Sequence, residues 1–374
     1  MLSKIRNRTG PVVGIITTGK NKTNNPGGAP QHLYRELISQ GRQKGIFIYN
    51  FHPHNIDWKR RLIKGYTHNG KRWESGVYRF PDIVYNRILY RNIEASPAVK
   101  SILKKFQQDE NIILFNTRFL DKWEVHKAIN GNRDTAHLVP ETELLTRENL
   151  YLMLHRHPEV LLKPRNSSKG QGIIKIKQAG KQFSFSRAEW NGPKWIRSNS
   201  FINLYRQLKF HNVLNQKYLI QECIDLARYN GRIFDLRSQF QKDGTGNWVL
   251  TGVGVRIAGK NRFVTHIPNG GSLAAYNEII PSVYNTVSEG TRAFDKQLKN
   301  IGLFIPPLLE EKLQINLAVL SMDIGIDRSG KMLILEVNSK PARFDEHHIR
   351  QRHLINLVDY FLFLTEKKNK RNDN

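Results

Sequence analysis

Short apolar runs separated by polar, glycine- or proline-bearing punctuation run the length of the chain, and their periods predict its elements. "PVVGIITTG" predicts a first strand. The loop "KNKTNNPGGAP" follows, then a helix with Leu33, Leu37 and Ile38 on one face. "GIFIYNF" predicts a second strand, and "WKRRLIKGYTHNGKRWESGVYRF" a hairpin turning at Asn69-Gly70, a strong short-range turn signal. "DIVYNRI", a helix from about Pro97 and a strand at "NIILFN" complete a small α/β unit over residues 1–116.

The pattern then changes. "TRFLDKWEVHKAI" predicts a helix, "HLVPETELLT" a bridge and "RENLYLMLHRH" a second helix. "EVLLKP" and "GIIKIK" read as strands joined by a glycine-containing turn, followed by a polar and aromatic insertion over about 178–215. "KYLIQECI" is a strand, "FDLRSQFQKDGTGNWVLTGVGVRIAG" a long hairpin around "DGTG", and "RFVTHI" is expected to continue its sheet. Helices are predicted over about 281–300 and 307–319. A hairpin from "LSMDIGID" through "RSG" to "KMLILEVNS" follows, then an amphipathic helix over about 345–365. The organisation expected is a second domain over 117–365 and a charged tail over 366–374.

Composition narrows the class. At 374 residues, with 39% hydrophobic and 10% aromatic residues, the chain can bury cores in two or three domains. A lone cysteine, Cys223, excludes an internal disulfide and fits a reducing compartment. No apolar run reaches membrane-spanning length, and "VVGII" is too short for a signal-peptide core. The expectation is a protein made in the cytoplasm and not secreted. The formal charge of +27 predicts attraction to polyanions, such as an acidic polymer, or simply a basic solvated surface. With no zinc-finger, helix-turn-helix or RNA-recognition signature, nucleic acid is not the expected partner.

"LILEVNSKPAR" carries the first chemical signal. Glu336 and Asn338 end an apolar strand two residues apart, so both point to one face. They are either a polar strand end meeting solvent or a pair of oxygen ligands for a hard cation. If the hairpin turns at "RSG", Asp323 falls close to directly opposite Glu336, and two facing carboxylates repel unless a cation lies between them. "VLLKPRNSSKGQGI" carries the second signal. Lys163 ends a strand, and Ser167, Ser168, Lys169, Gly170 and Gly172 lie in a loop able to present backbone N–H groups to phosphate. Gly/Ser turns also join hairpins that bind nothing. "GIITTGKN" imitates a phosphate-binding loop. However, its first glycine falls inside a strand and Asn21 stands where a Ser or Thr would hold Mg2+.

The ordered set Lys122, Lys163, "RNSSKGQG", "QECI", "FDLR", "VR", Asp323 and "EVN" resembles the ATP-grasp superfamily. "DKWE", "FDLR" and "EVNSKPAR" resemble most closely the YheC/YheD family of endospore coat-associated ATP-grasp proteins, with the ribosomal-protein glutamate ligases more distantly similar. The resemblance covers roughly residues 117–345. It implies an α+β ATP-grasp fold behind an N-terminal α/β pre-ATP-grasp domain, with ATP held between two subdomains. Lys122 and Lys163 would contact the α- and β-phosphates and the glycine loop would close over them. The Glu222 carbonyl and Ile224 amide would meet adenine, with Gln221 nearby. Asp323, Glu336 and Asn338 would bind Mg2+, two ions in all and Mn2+ an alternative, with Glu336 bridging. Arg237 and Arg256 would stabilise phosphate or bind the acid. The implied chemistry joins an unidentified acid and amine, the acceptor being a peptide, a coat protein or a free amino acid. The implied location is the mother-cell cytoplasm or the spore coat. A coat-associated protein that keeps ATP without ligating is the second reading. Where the glutamate ligases carry Pro-Gly after "EVN" this chain has "SKPAR". Where they carry an Asn before a Gly-Gly turn, "THIPNGG" puts His266 at or near that place.

Overall fold

Val12–Ile16 (β1) is apolar on both faces, as a strand covered on either side must be, and all five residues are buried. It lies at the centre of the first of three sheets in the computed structural model, which describes residues 10–18, 31–167, 170–189, 194–214, 217–267, 270–285 and 288–372. The N-terminal unit adds α1 (Gln31–Gln43), β2 (Phe47–Asp57), β3 (Leu62–His68), β4 (Trp73–Arg79), β5 (Ile83–Asn86), α2 (Arg91–Glu94), α3 (Pro97–Gln108) and β6 (Ile113–Phe115). Its strand order is β4-β3-β2-β1-β5-β6, parallel through β2, β1, β5 and β6. Gly14 has a packing role: a Cβ there would lie 2.8 Å from the Phe51 ring and 2.9 Å from Pro81. Residues 19–21 of the "GIITTGKN" imitation lie outside the described residues.

The middle unit runs α4 (Lys122–Asn130), β7 (Thr142–Leu144), α5 (Arg147–Arg156), β8 (Glu159–Pro164), β9 (Ile174–Ala179), β10 (Gln182–Arg187), β11 (Ile196–Ser198), α6 (Phe201–Phe210) and β12 (Tyr218–Glu222). Its sheet order is β11-β10-β9-β8-β12-β7. The expected insertion over 178–215 therefore contains β10, β11 and α6. Phe183 and Phe185 alternate inward against Leu204 and Leu208 of α6, a core too short-ranged and too interrupted by polar residues to stand out in the sequence.

The last unit contains β13 (Arg228–Tyr229), β14 (Arg232–Lys242), β15 (Trp248–Ile257), β16 (Ser272–Ala274), α7 (Tyr276–Tyr284), α8 (Ser288–Leu313), β17 (Val319–Ile326), β18 (Met332–Asn338) and α9 (His347–Asn372). Its sheet order is β16-β15-β14-β17-β18, with β13 beside β14. Three expectations change here. "RFVTHI" forms no strand. Val264 instead packs with Ile173 and Ala188 of the middle unit, so the segment crosses between the units. The expected helices over 281–300 and 307–319 are divided differently: α7 ends at Tyr284, and α8 runs from Ser288 through Pro306-Pro307 to Leu313, because Leu298, Ile301, Ile305 and Leu309 continue one buried face through the prolines. Gly302 permits that approach, since a Cβ there would collide with the Phe240 ring. The final helix extends to Asn372, into the expected tail.

Helix α9 joins the units. Leu354, Leu357, Val358, Phe361 and Leu364 share one core with Val13, Ile15, Leu37 and Tyr85 of the N-terminal sheet. Asn116 adds a polar stitch: its amide donates to the Val319 and Ser339 carbonyls, and its oxygen accepts from the Ala318 and Val319 amides.

Candidate active site

Two rows of residues cross the last sheet. In one, Arg237 on β14 faces Asp323 on β17, which faces Glu336 on β18. The hairpin register thus sets the two carboxylates directly opposite, and a bulge just beyond Asp323 shifts the remaining pairs. In the other row, Arg256 on β15 faces Asp235 on β14. Asp235 and Arg237 are two apart on a strand and therefore share a face.

Arg256 locks these rows together. Its Nε and Nη2 bind both Asp235 oxygens at 2.9 and 2.6 Å, and Nη2 reaches Asp323 at 2.9 Å. Thr265 Oγ1 donates to Asp235 at 2.7 Å. Burial disfavours the Arg256 charge, but Asp323 and Asp235 outweigh it and hold its pKa above the ordinary value. Burial would raise Asp323; Arg256, Arg237 and His266 overcome it and keep that carboxyl below its usual range. Both ionised groups are thereby stabilised away from water.

Strands β8 and β12 of the middle unit supply the opposing wall, and α4, whose Val125, Ala128 and Ile129 pack in the core of the last unit, brings Lys122 beside it. Asp121 caps α4 by accepting from the Trp123 and Glu124 amides, and it is gripped by Arg165, which fixes Lys122 as the first helical residue. Lys122 Nζ donates to the Ser167 carbonyl at 3.2 Å and lies 3.6 Å from Glu336. Lys163 leaves the end of β8 and donates to Gln221 Oε1, whose amide donates in turn to Thr142 Oγ1 at 2.9 Å. Burial, then repulsion from Lys122, lowers the Lys163 ammonium to about 8 against the pull of Glu336.

Between the walls lies a cavity of about 510 Å3. Lys163, Gln221, Glu222, Ile224, Asp323 and Glu336, all singled out from the sequence, line it. So does Asp225, an exposed carboxylate 2.9 Å from Arg328. The Ile224 amide donates no hydrogen bond among the described residues, whereas its carbonyl accepts from Leu226. Burial pushes the Cys223 thiol up, so this cavity residue stays protonated. Gly170 and Gly172 both have positive φ in the β8–β9 connection, where glycine is favoured, and Tyr218 donates to the Gly172 carbonyl at 3.0 Å. Ser168 and Lys169 lie outside the described residues.

Of the other expected residues, Lys122, Ser167, Gly170, Gly172, Arg237, Arg256 and Asn338 do not line this cavity. Arg237 donates to the Ala342 carbonyl at 3.3 Å and lies over the Phe344 ring, its buried Nε without a hydrogen-bond partner among the described residues. Asn338 faces Ser321, one step beyond Glu336 on the same face. Arg256 has its donors committed to carboxylates beneath the cavity, which makes it a positioning group for Asp235 and Asp323. The sequence did not single out Asp235, although it sits in "FDLR" with the same two-residue spacing that marked Glu336. His266 stood out only as a departure from the glutamate-ligase pattern. Yet His266, Asp323 and Glu336 offer one ligand atom each, all within 4.8 Å of one another. Two carboxylates and an imidazole with an orphaned Nδ1 fit a divalent cation.

A nucleotide-sized cleft between two α+β subdomains, floored by carboxylates and walled by lysines, defines the ATP-grasp class. The family model for YheC/D-like ATP-grasp proteins matches residues 111–364, and the chain belongs to that family. It is 28% identical over 369 residues to the endospore coat-associated protein YheD of Bacillus subtilis (strain 168), a match spanning 96% of this chain and 80% of that one. It is 26% identical over 321 residues to YheC of the same organism, spanning 82% and 84%. Among solved structures the fold is similar to the VanG D-Ala:D-Ser ligase of Enterococcus faecalis (TM-score 0.54, 12% identity, 95% of this chain and 99% of that one). It is also similar to the ATP-grasp ligase PsnB with a minimal precursor (TM-score 0.51, 12% identity, 95% and 99%).

Proposed function

We propose that the protein is an ATP- and Mg2+-dependent carboxylate–amine ligase that works through an acyl phosphate at the endospore coat or in the mother-cell cytoplasm. The supporting observation is the convergence of Asp323 and Glu336 with Lys163 of the middle sheet on a single cavity, with Lys122 3.6 Å from Glu336 beside it. Lys122 and Lys163 would hold the phosphates with the glycine loop, and Glu222 and Ile224 would receive adenine. Asp323, Glu336 and Asn338 would hold Mg2+, which supplies charge stabilisation to the transferring phosphoryl group. In the reaction a substrate carboxylate oxygen attacks the γ-phosphorus and the bond to ADP breaks. An amine then displaces phosphate and loses a proton to give the amide. Arg237, whose Nε has no partner, would steady the acyl phosphate. Arg256 would keep Asp323 ionised. No protein nucleophile is needed, consistent with a protonated Cys223.

The relatives' description places them at the endospore coat. With a charge of +27, this chain would dock on an acidic polymer or coat surface and act on a peptide or coat protein there. No helix among the described residues is long and apolar enough to cross a membrane. The test is ADP release by the purified protein with Mg2+ and ATP across amino acids and peptides, with mass spectrometry of the products. A new amide formed in step with ADP is expected. ATP binding with no product from any pair would overturn the ligase reading in favour of a coat-associated ATP-binding protein.

A further inference from the structure

Two clusters among the described residues bring a histidine together with two carboxylates, and their bonding differs. At the cavity edge, His157 Nε2 lies 2.7 Å from Glu141 and Nδ1 3.6 Å from Glu222, while Arg156 holds the other Glu141 oxygen at 2.8 Å. Those groups already satisfy one another. At the cavity floor, the His266 ring stands beside two carboxylates, and its Nδ1 is closed to solvent with no hydrogen-bond partner among the described residues. A buried polar nitrogen without a partner is costly and calls for an explanation, an ion among them.

We propose that His266 is a nitrogen ligand of the metal held by Asp323 and Glu336, and that it biases the site toward Mn2+ over Mg2+. The inference rests on reading the cavity as a metal–nucleotide site. Ligand atoms on opposite sides of a small divalent ion stand about 4.2 Å apart, twice a bond of roughly 2.1 Å. Adjacent ligands stand closer still, about 3 Å apart, and three atoms within 4.8 Å of one another close on a shared ion by shifts of less than about 1 Å each. The donor chemistry sets the preference. Mg2+ favours oxygen and gains little from imidazole, whereas transition ions accept nitrogen readily. The segment leading into His266 is tied to both units: Thr265 donates to Asp235, and Val264 packs on Ile173 and Ala188.

Electron spin-echo spectroscopy of Mn2+ bound to the full-length protein, with and without ADP, tests this directly. The parent should show 14N modulation, and 15N-histidine labelling should convert it to the 15N pattern. His266→Gln should abolish it and weaken Mn2+ binding about tenfold while changing Mg2+ affinity less than about twofold. His157→Gln should leave both unchanged. Bound Mn2+ without 14N modulation, or modulation that survives His266→Gln, overturns the inference and leaves the metal site standing. If Mn2+ does not bind the parent at all, the metal reading of Asp323 and Glu336 fails with it. The labelled parent decides the question even if His266→Gln does not fold.

Discussion

Two lysine–glutamate neighbourhoods inside this molecule contrast sharply. Lys340 pairs with Glu94 and sits 4.7 Å from the Phe119 ring; Glu94 also accepts from Asn86 at 3.1 Å and the Phe119 amide at 2.6 Å. Across the cavity, Lys163 donates to the neutral Gln221, and Glu336 accepts no hydrogen bond among the described residues, its nearest cation being Lys122 at 3.6 Å. Burial lowers both Lys340 and Lys163 to about 8. The same desolvation is thus balanced in one place by a closed set of partners and in the other by almost none. A closed set fastens parts of the fold together, here α2 to the segment after β18. An open set has bonding capacity left for a ligand.

The contrast predicts opposite consequences for similar changes. Glu336→Gln preserves shape but removes a charge from the proposed metal site. Turnover should fall at least about 100-fold, since metal stabilisation of phosphoryl transfer is worth several kcal/mol and 1.36 kcal/mol is about tenfold in rate. The unfolding midpoint should stay near the parent's, because Leu333, Ile334 and Val337 keep the strand buried. Glu311→Gln, on the exposed end of α8, is the control. Equal ATP turnover by both variants and the parent would end the metal assignment of Glu336.

Lys340→Met should do the reverse. Removing one partner of a buried ion pair costs about 3–5 kcal/mol, and replacing both with neutral groups recovers much of it. Denaturant unfolding of Lys340→Met, Glu94→Gln and the double variant would measure the coupling. Additive losses would show that Lys340 and Glu94 are merely adjacent.

Part of this was legible in the sequence. Facing residues in an antiparallel hairpin keep a constant sum of residue numbers, so the turn at "RSG" pointed to the partner of Glu336. The rule located the pair only to within a residue: the turn-side pairs, Ile326–Met332 to Ile324–Ile334, would set Asp323 opposite Leu335, and the bulge at Leu335 brings Glu336 into place. Lys122 and Lys163 were legible only through the ordered set that resembles ATP-grasp proteins, since nothing local says that α4 and β8 meet. His266 and Thr265 reach the floor through a segment that leaves the sheet to pack against another subdomain, and apolar alternation at "RFVTHI" imitates a strand. Pro306-Pro307 misled for a related reason: a breaker signal is local, whereas the buried stripe from Leu298 to Leu309 is set by the core it meets. The charge state of Lys163 was invisible, because it depends on burial and on Lys122, 41 positions earlier in the chain.

That charge state yields the smallest predicted effect and the sharpest separation of the two neighbourhoods. Lys163→Ala should weaken Mg-ATP binding by about 1–3 kcal/mol, the range for a charge-assisted contact, or roughly 5–150-fold. The pH dependence gives the sign. In the free protein the Lys163 ammonium loses its proton near pH 8, well below its ordinary value of 10.5. A bound polyphosphate favours the charged form, so binding takes up a proton above pH 8 and affinity should fall as pH rises from 8 toward 10. Folding stability of the free protein moves the other way. Over the same window the unfolded chain binds more protons than the folded one, so the cost of the buried ammonium, fully present below pH 8, is relieved as pH rises. Lys340 adds to that stability trend without touching nucleotide affinity, so Lys340→Met should flatten part of the stability curve and none of the affinity curve. Lys163→Ala should flatten the affinity curve. Calorimetric titration of Mg-ATP from pH 7 to 9.5 decides it, and a parent whose affinity is level across that range would mean that Lys163 does not face the phosphates.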